Sequence, residues 1–430
     1  MQEFKVSSFA KATRGGQRAK FKMGEREERE AAKPIRLSEI KTTFTKRTSS
    51  GMEEFDRVLG QGFVKGSVVL LAGEPGVGKS TLLIQLLKKM PAQQILYVSG
   101  EESVEQVKSR AERLGVSGGN LLLLAETNVE NILEEIKILR DKDIRGKEKE
   151  LLNILVIIDS IQTLWSEDFE GYPGSVSQVR GCSQRLLELA KKKGITMIFV
   201  GHVTKEGEIA GPMILSHMVD VVLFLEGERF TELRLLRGFK NRFGPTDEVG
   251  VFRMAEGGME EVKNPSEMFL EEDEGGKGTA GAVVVCAMEG TRPVLLEIQA
   301  LVTQSSLAIP RRVVSGVDYS RVLLLTAVLQ KNLGIPLYNQ DVFVKAAGGF
   351  KVSEPAADLG ICLAIISSFK NQPLPPKTCA FGEVGLLGEV RRVNGEEKRT
   401  KEAKKLGFTH VLSSSTVRNL REATKVVSRE

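Results

Sequence analysis

The chain alternates short, nearly unbroken apolar runs with stretches in which apolar residues recur every three to four positions. The runs ending at Ala72 and spanning Ile95–Ser99, Leu121–Leu124, Leu152–Ile158 and Thr196–Val200 read as strands buried on both faces. Helical spacing fills the gaps, over Val104–Leu114, Val129–Arg140 and Val176–Lys193. Ser49–Val64 reads as a short amphipathic helix punctuated by glycine, and 141–150 as a charged loop. This alternation predicts a parallel sheet with helices on both faces. Val221–Leu225, Glu232–Leu236 and Val249–Met254 follow at short intervals and read as an antiparallel extension of that sheet. Residues 1–45 have no stable period and read as a basic, flexible arm.

Near residues 256–279 the pattern breaks. Glycine pairs at Gly257–Gly258 and Gly275–Gly276 flank the acidic run Glu271–Glu274. This predicts an arm over 1–45, a first domain over 46–256, a linker over 257–279 and a second domain over 280–430. Within the last, Ala282–Cys286, Val294–Ala300 and Val342–Ala346 read as strands, and Arg321–Leu333, Pro355–Phe369 and Glu396–Leu406 as helices. No internal repeat is visible.

At 430 residues, 41% hydrophobic and 27% charged, the chain is of ordinary globular composition and long enough for two or three domains. No apolar run is long enough to span a bilayer, and no secretory leader pattern is present, so a cytoplasmic location with no membrane partner is expected. The arm has six basic residues and one acid over 1–24, which leaves an organellar transit peptide or a polyanion-touching tail as alternatives. Net charge is only +5, which by itself does not argue for nucleic acid. Cys182, Cys286, Cys362 and Cys379 form no C-x-x-C pair; they read as buried thiols, with no zinc expected.

The chemistry concentrates after the first apolar run. Gly73-Glu74-Pro75-Gly76-Val77-Gly78-Lys79-Ser80 followed by Thr81 is the pattern G-x-x-x-x-G-K-[ST] between a strand and a helix, a Walker A loop. Its glycines let backbone N–H groups turn inward around phosphate oxygens, with the positive end of the next helix aimed at the same place. Lys79 is expected to reach the β- and γ-phosphates of ATP, and Ser80 to hold Mg²⁺. Leu152–Ile158 delivers Asp159 beside this loop; it suits a carboxylate that holds Mg²⁺ through water, the alternative being a helix cap. Ile95–Ser99 ends in Gly100, Glu101 and Glu102. One of these acids can polarise an attacking water, or both can simply open a helix, where acids suit the dipole.

The order of these pieces resembles the RecA-type ATPase core. With SSG at Ser49–Gly51, YVSGEES from Tyr97, PGSVSQVR over Pro173–Arg180, GHVTKEGEIAGP from Gly201 and KNRFG over Lys240–Gly244, the chain from about Lys46 to Leu412 resembles the bacterial RadA/Sms DNA-repair ATPases. The resemblance implies a fold: a RecA-like P-loop core with a mainly parallel sheet, then an α+β domain like the Lon protease domain. It implies an ATP-dependent motor on single-stranded or branched DNA that promotes branch migration as a homo-oligomeric, hexameric ring. A RecA recombinase or a replicative helicase would be a partner. It implies that Lys240 and Arg242 reach a nucleotide on the neighbouring protomer, where the residues alone favour a basic hairpin corner. By the same analogy His202 senses the γ-phosphate. The segments Trp165–Val179 and Val203–Ser216 would face DNA, with Arg180 and Lys205 near phosphates and Trp165 and Tyr172 stacking on bases, although five acids there oppose this.

In the second domain, EPAADLG over Glu354–Gly360 matches the Lon nucleophile motif with Ala356 at the serine position. The lysine position falls at Glu397, beside Lys398. The resemblance therefore implies a scaffold without protease activity. Arg311, Arg312, Lys345, Lys351, Arg391 and Arg392 are its candidate phosphate contacts. Members of the family usually begin with a four-cysteine zinc finger; this chain has no cysteine before Cys182. A nucleotide-dependent protein-interaction switch is the alternative function.

Overall fold

Two sheets organise the chain from Lys46 onward. The computed structural model describes residues 36, 47–90, 94–116, 119–144, 154–202, 210–227, 232–266, 270, 278–347 and 351–427. The rest of the 1–45 arm, Lys205 and the acidic run Glu271–Glu274 lie outside them.

The strands are β1 (Arg47–Thr48), β2 (Phe63–Val64), β3 (Val68–Gly73), β4 (Ile95–Ser99), β5 (Leu121–Ala125), β6 (Leu155–Asp159), β7 (Thr196–His202), β8 (Val221–Glu226), β9 (Leu233–Asn241), β10 (Val249–Ala255) and β11 (Gly258–Glu261). Helices α1 (Glu53–Leu59), α2 (Lys79–Lys89), α3 (Val104–Arg113), α4 (Val129–Ile144), α5 (Val176–Lys193) and α6 (Ala210–Met218) lie between them. The sheet order is β11-β10-β9-β8-β3-β7-β6-β4-β5. From β8 to β5 all neighbours run parallel. All six residues of β3 are buried, because Val69 and Leu71 pack into one core and Val68, Leu70 and Ala72 into the other. That is why the strand reads as an unbroken apolar run rather than an alternating one.

Several expectations need correction. β8 is not part of the antiparallel extension: Val69 pairs with Val221 in parallel, and the chain reverses only between β8 and β9. A short strand after a short connection does not reveal its direction. The pair Gly257–Gly258 is a hairpin turn rather than the start of a linker, since β11 pairs with β10 within the first sheet. Helix α4 runs to Ile144, into the stretch read as a loop. The amphipathic segment 49–64 is a seven-residue helix followed by β2, which pairs with β1 in a separate two-stranded ribbon.

The second sheet comprises β12 (Ala282–Glu289), β13 (Arg292–Gln304), β14 (Arg312–Ser315), β15 (Gln340–Ala346), β16 (Thr378–Ala380) and β19 (His410–Leu412), in the order β14-β15-β13-β12-β16-β19. The small hairpin of β17 (Glu383–Val384) and β18 (Val390–Arg391) stands apart. Helices α7 (Tyr319–Leu333), α8 (Asp358–Lys370) and α10 (Leu420–Val427) pack on one face, with Val285 and Leu296. Helix α9 (Glu396–Lys405) packs on the other, where Cys286, Leu295, Phe381 and Ala403 meet. The result is the expected α/β core followed by an α+β unit. All four cysteines are buried free thiols; burial raises Cys182 and Cys286 to about 12.

Ala356 lies buried in the turn before α8. Glu397 and Lys398 both face solvent, and the residue that points inward from α9 is Arg399. It forks onto Glu354 at 2.7 and 2.6 Å and also donates to the Cys286 carbonyl. Arg399→Ala strips this carboxylate of its partner, and is expected to cost about 3 kcal/mol of unfolding free energy by urea titration. The double change Arg399→Met with Glu354→Leu should recover most of that loss. A single variant as stable as the wild type would show that the pair holds nothing together.

Candidate active site

Because β3, β4, β6 and β7 are parallel, their carboxyl ends meet along one sheet edge, and the chemistry-bearing residues follow each end. β3 ends at Gly73, where the loop to α2 begins. Gly76 and Gly78 hold φ near +79° and +110°, a region open to glycine. A Cβ on Gly76 would meet nothing within 4 Å, so that side of the loop is open.

Lys79 opens α2, is only 4% exposed, and folds back over its own loop. Its ammonium donates to the Gly73 carbonyl at 2.9 Å and the Glu74 carbonyl at 3.0 Å, and lies 3.1 Å from His202 Nδ1. Burial lowers its pKa to about 8, against the opposing pull of Asp159 and Glu101. An ammonium can only donate, so this contact makes Nδ1 of His202 the acceptor and places the proton on Nε2. That nitrogen faces Glu101 Oε1 at 3.4 Å. Burial, then the neighbouring Lys79, lowers the His202 pKa.

Ser80 donates to Asp159 Oδ2 at 2.7 Å, and Tyr97 donates to the same oxygen. Burial and then Asp159 push the Tyr97 phenol well above its usual range, so it stays a donor. Of the two acids after β4, Glu101 accepts from Ser160 at 2.7 Å and faces the site. Glu102 is turned away to Arg110. Gly100 is needed for this approach, since a Cβ there would lie 1.9 Å from Thr163 Oγ1.

The residues fit a nucleoside triphosphate and Mg²⁺. The loop has an open backbone cradle and a buried cation bonded to two carbonyls and an imidazole nitrogen, with no carboxylate on it. A hydroxyl and a carboxylate stand 2.7 Å apart, a hard-oxygen set of the kind Mg²⁺ takes.

Sequence reading missed the supports. Arg234 on β9, 8% exposed, donates to the Val77 carbonyl at 3.1 Å. Met254 and Met259 press on Gly78, whose Cβ would lie 2.2 Å from Met259 Cε. Gln85 of α2 accepts from the Met259 N–H at 2.6 Å and reaches the Gly257 carbonyl at 3.3 Å. Gln162 donates to the His202 carbonyl at 3.2 Å. None of these belongs to a loop motif, and their only signal was that β9 to β11 follow the core directly.

Lys240 and Arg242 are not brought to this edge. Lys240 pairs in register with Val222, whereas Gly73 pairs with Leu225. The pair therefore lies toward the opposite end of the sheet. Lys240 donates to the carbonyls of Ser216 at 2.7 Å, Val219 at 2.8 Å and His217 at 3.3 Å, around the end of α6. Arg242 reaches Asp220 at 3.3 Å. Trp165 is half-buried with its indole N–H on Thr127 at 3.2 Å, while Tyr172 is 87% exposed. Arg180 is exposed, and residues 203–209, the first half of Val203–Ser216, lie outside the described residues. In the part of the chain built on the second sheet, Arg311 pairs with Asp341, Arg391 with Glu389 and Arg392 with Glu396, whereas Lys345 is exposed.

The lowered Lys79 pKa has a signed consequence. Below about pH 8 the side chain is protonated in the folded and unfolded chains alike, so the burial cost is fully present. Between about 8 and 10.5 the unfolded chain keeps a proton the folded chain has lost, so the folded state gains stability as pH rises. Relative to Lys79→Met, the ligand-free wild type should gain up to about 3 kcal/mol across that window, read by urea titration at several pH values. A pH-independent difference would refute the shift.

Residues 48–246 match the family model described as "ATPase: KaiC". The chain is 50% identical over 382 residues to the DNA repair protein RadA of Bacillus subtilis (strain 168), covering 88% of this chain and 80% of that one. It is 49% identical over 383 residues to the DNA repair protein RadA of Streptococcus pneumoniae, covering 89% and 88%. A solved KaiC-like protein from Pyrococcus horikoshii OT3 covers 50% of this chain and 99% of its own at 22% identity, with a TM-score of 0.40. Identity at this level over nearly nine-tenths of the sequence places the chain in the RadA family of DNA repair proteins, built on a KaiC-like ATPase domain.

Proposed function

We propose that this chain is a Mg²⁺–ATP-dependent DNA-repair motor that binds single-stranded or branched DNA and promotes branch migration as a cytoplasmic homo-oligomeric ring, a hexamer. The observation that carries the ATPase part is the meeting of Lys79, Ser80, Glu101, Asp159 and His202 at one sheet edge. The backbone N–H groups of residues 73–81, other than Pro75, hold the phosphates, and Lys79 trades its loop carbonyls for phosphate oxygens. Ser80 would ligate Mg²⁺ and Asp159 would accept from the metal's water. The ion neutralises charge between the β- and γ-phosphates when bound. Glu101 orients the attacking water and takes its proton. His202, neutral with its proton on Nε2, senses the terminal phosphate.

Lys240 and Arg242 serve a neighbouring protomer's nucleotide, a reading supported by their distance from their own Walker loop. Tyr172 is the candidate stacking residue; Trp165, bound to Thr127, is the weaker one. The second domain is a scaffold, since Ala356 offers no nucleophile. A RecA recombinase or a replicative helicase is the proposed partner.

Glu101→Gln should lower turnover at least about 100-fold while ATP binding persists, and Lys79→Ala should lose both. Wild-type hydrolysis by Lys79→Ala would sink the site assignment. Single-stranded DNA should stimulate the wild-type rate; a flat response would favour the protein-interaction switch.

A further inference from the structure

We infer that Arg292, in the second domain, is a positioning residue for the nucleotide site, acting through Glu54 and the β10–β11 hairpin on the Walker loop. The inference rests on the reading of that loop as the ATP site.

The β12–β13 hairpin tip is seated on the first domain. Gly290, at φ +61°, approaches so closely that a Cβ there would lie 1.6 Å from the Asp247 carbonyl oxygen. Thr291 donates its N–H to that carbonyl at 2.9 Å and its hydroxyl to Glu248 at 2.7 Å. Arg237 of β9 pairs with Glu289 at 2.5 Å. Arg292 reaches deeper than these. It donates to Glu54 Oε2 at 2.7 Å, and Glu54 is only 2% exposed.

Glu54 is the node. The oxygen that receives Arg292 also accepts the Val251 N–H of β10 at 2.9 Å. The Glu54 backbone N–H donates to Glu261 of β11 at 2.9 Å, and Glu261 pairs with Lys89 of α2 at 2.7 Å. The same two strands supply Met254 and Met259, which close on Gly78, and the turn that holds Gln85. A buried carboxylate needs its cation. Losing the Arg292 guanidinium leaves Glu54 seeking water, and the strands it ties are those that press on the loop. The neighbouring Arg57, half-exposed, makes a longer ion pair with the other Glu54 oxygen, Oε1, at 3.6 Å, so it is Oε2, the oxygen shared with Val251, that loses its guanidinium.

The test is hydrogen exchange of the ligand-free full chain over residues 74–80, beside initial rates against ATP, for the wild type, Arg292→Ala, Arg292→Lys and Thr291→Val. Arg292→Ala should speed exchange and raise KM for ATP, each about ten-fold, a fraction of what a 1 Å displacement can cost. Arg292→Lys should recover part of both, because an ammonium still pairs with Glu54. Thr291→Val loosens the same junction without touching Glu54 and should stay within about two-fold of the wild type. If Arg292→Ala does not fold, Arg292→Gln carries the same comparison, since it brings no charge to Glu54. Unchanged exchange and KM in the Arg292 variants would overturn the inference. So would a Thr291→Val variant that matches them, because Arg292 would then be one junction contact among several. If the wild type hydrolyses no ATP, the ATPase reading fails, and the exchange data alone decide on Arg292.

Discussion

A cation held out of water governs this site. Lys79 is nearly inaccessible, and its ammonium bonds two loop carbonyls and an imidazole nitrogen rather than a carboxylate. Such a group is costly to bury, and the lowered pKa is that cost expressed as proton affinity. Carbonyl dipoles and the nearby charges of Asp159 and Glu101 offset it in part. An anion placed in the open cradle beside Gly76 would offset it far more. The expense is tolerated because the loop is fixed at both ends, by a fully buried strand before it and by the apolar face of α2 after it.

The loop is also fixed from outside. Gly78 lies under two methionines, and the Val77 carbonyl is held by a buried arginine from β9. Flexible thioethers suit such a place, because they fill an irregular gap without a fixed hydrogen-bonding demand. The hairpin carrying them is in turn tied to α1 through Glu54 and to α2 through Glu261. The antiparallel strands are thus more than an ornament on a parallel sheet, for they form the wall against which the phosphate loop rests.

Most of the core and the centre of the site were legible in the sequence, for a physical reason. A strand buried on both faces must be apolar throughout, and a phosphate loop must have glycine and lysine at fixed spacing; both constraints are local. What failed was non-local. The parallel direction of β8 depends on pairing with β3, more than 140 positions earlier in the chain, and no residue of Val221–Leu225 encodes it. The turn at Gly257–Gly258 looked like a linker because β11 is only four residues long. The choice between Glu101 and Glu102 was unreadable, since both suit a helix start; Arg110, about two turns into α3, draws Glu102 away. Arg234 and Arg292 were invisible because an arginine that grips a distant carbonyl or a buried carboxylate looks, in sequence, like any other.

The sheet has two chemically distinct ends. At the carboxyl ends of β3, β4, β6 and β7 lie the loop, the acids and His202. Toward the opposite end Lys240 gathers the last carbonyls of α6, and Asp220 receives Lys191, Arg242 and the N–H of Val68. Asp220 is buried while Arg242 is half-exposed, so the guanidinium has one hand on the sheet and one in solvent. Strand geometry sets about 3.3 Å per residue, so the three positions separating Val222 from Leu225 keep these cations from reaching the phosphates of their own chain by side-chain motion alone. If they act on a nucleotide, it must belong to another copy. If they do not, they close the sheet's far end by satisfying carbonyls and a buried carboxylate that would otherwise go unpaired. The two roles make opposite demands on Lys240, because an ammonium bound to three carbonyls must release some of them before it can stabilise a phosphate.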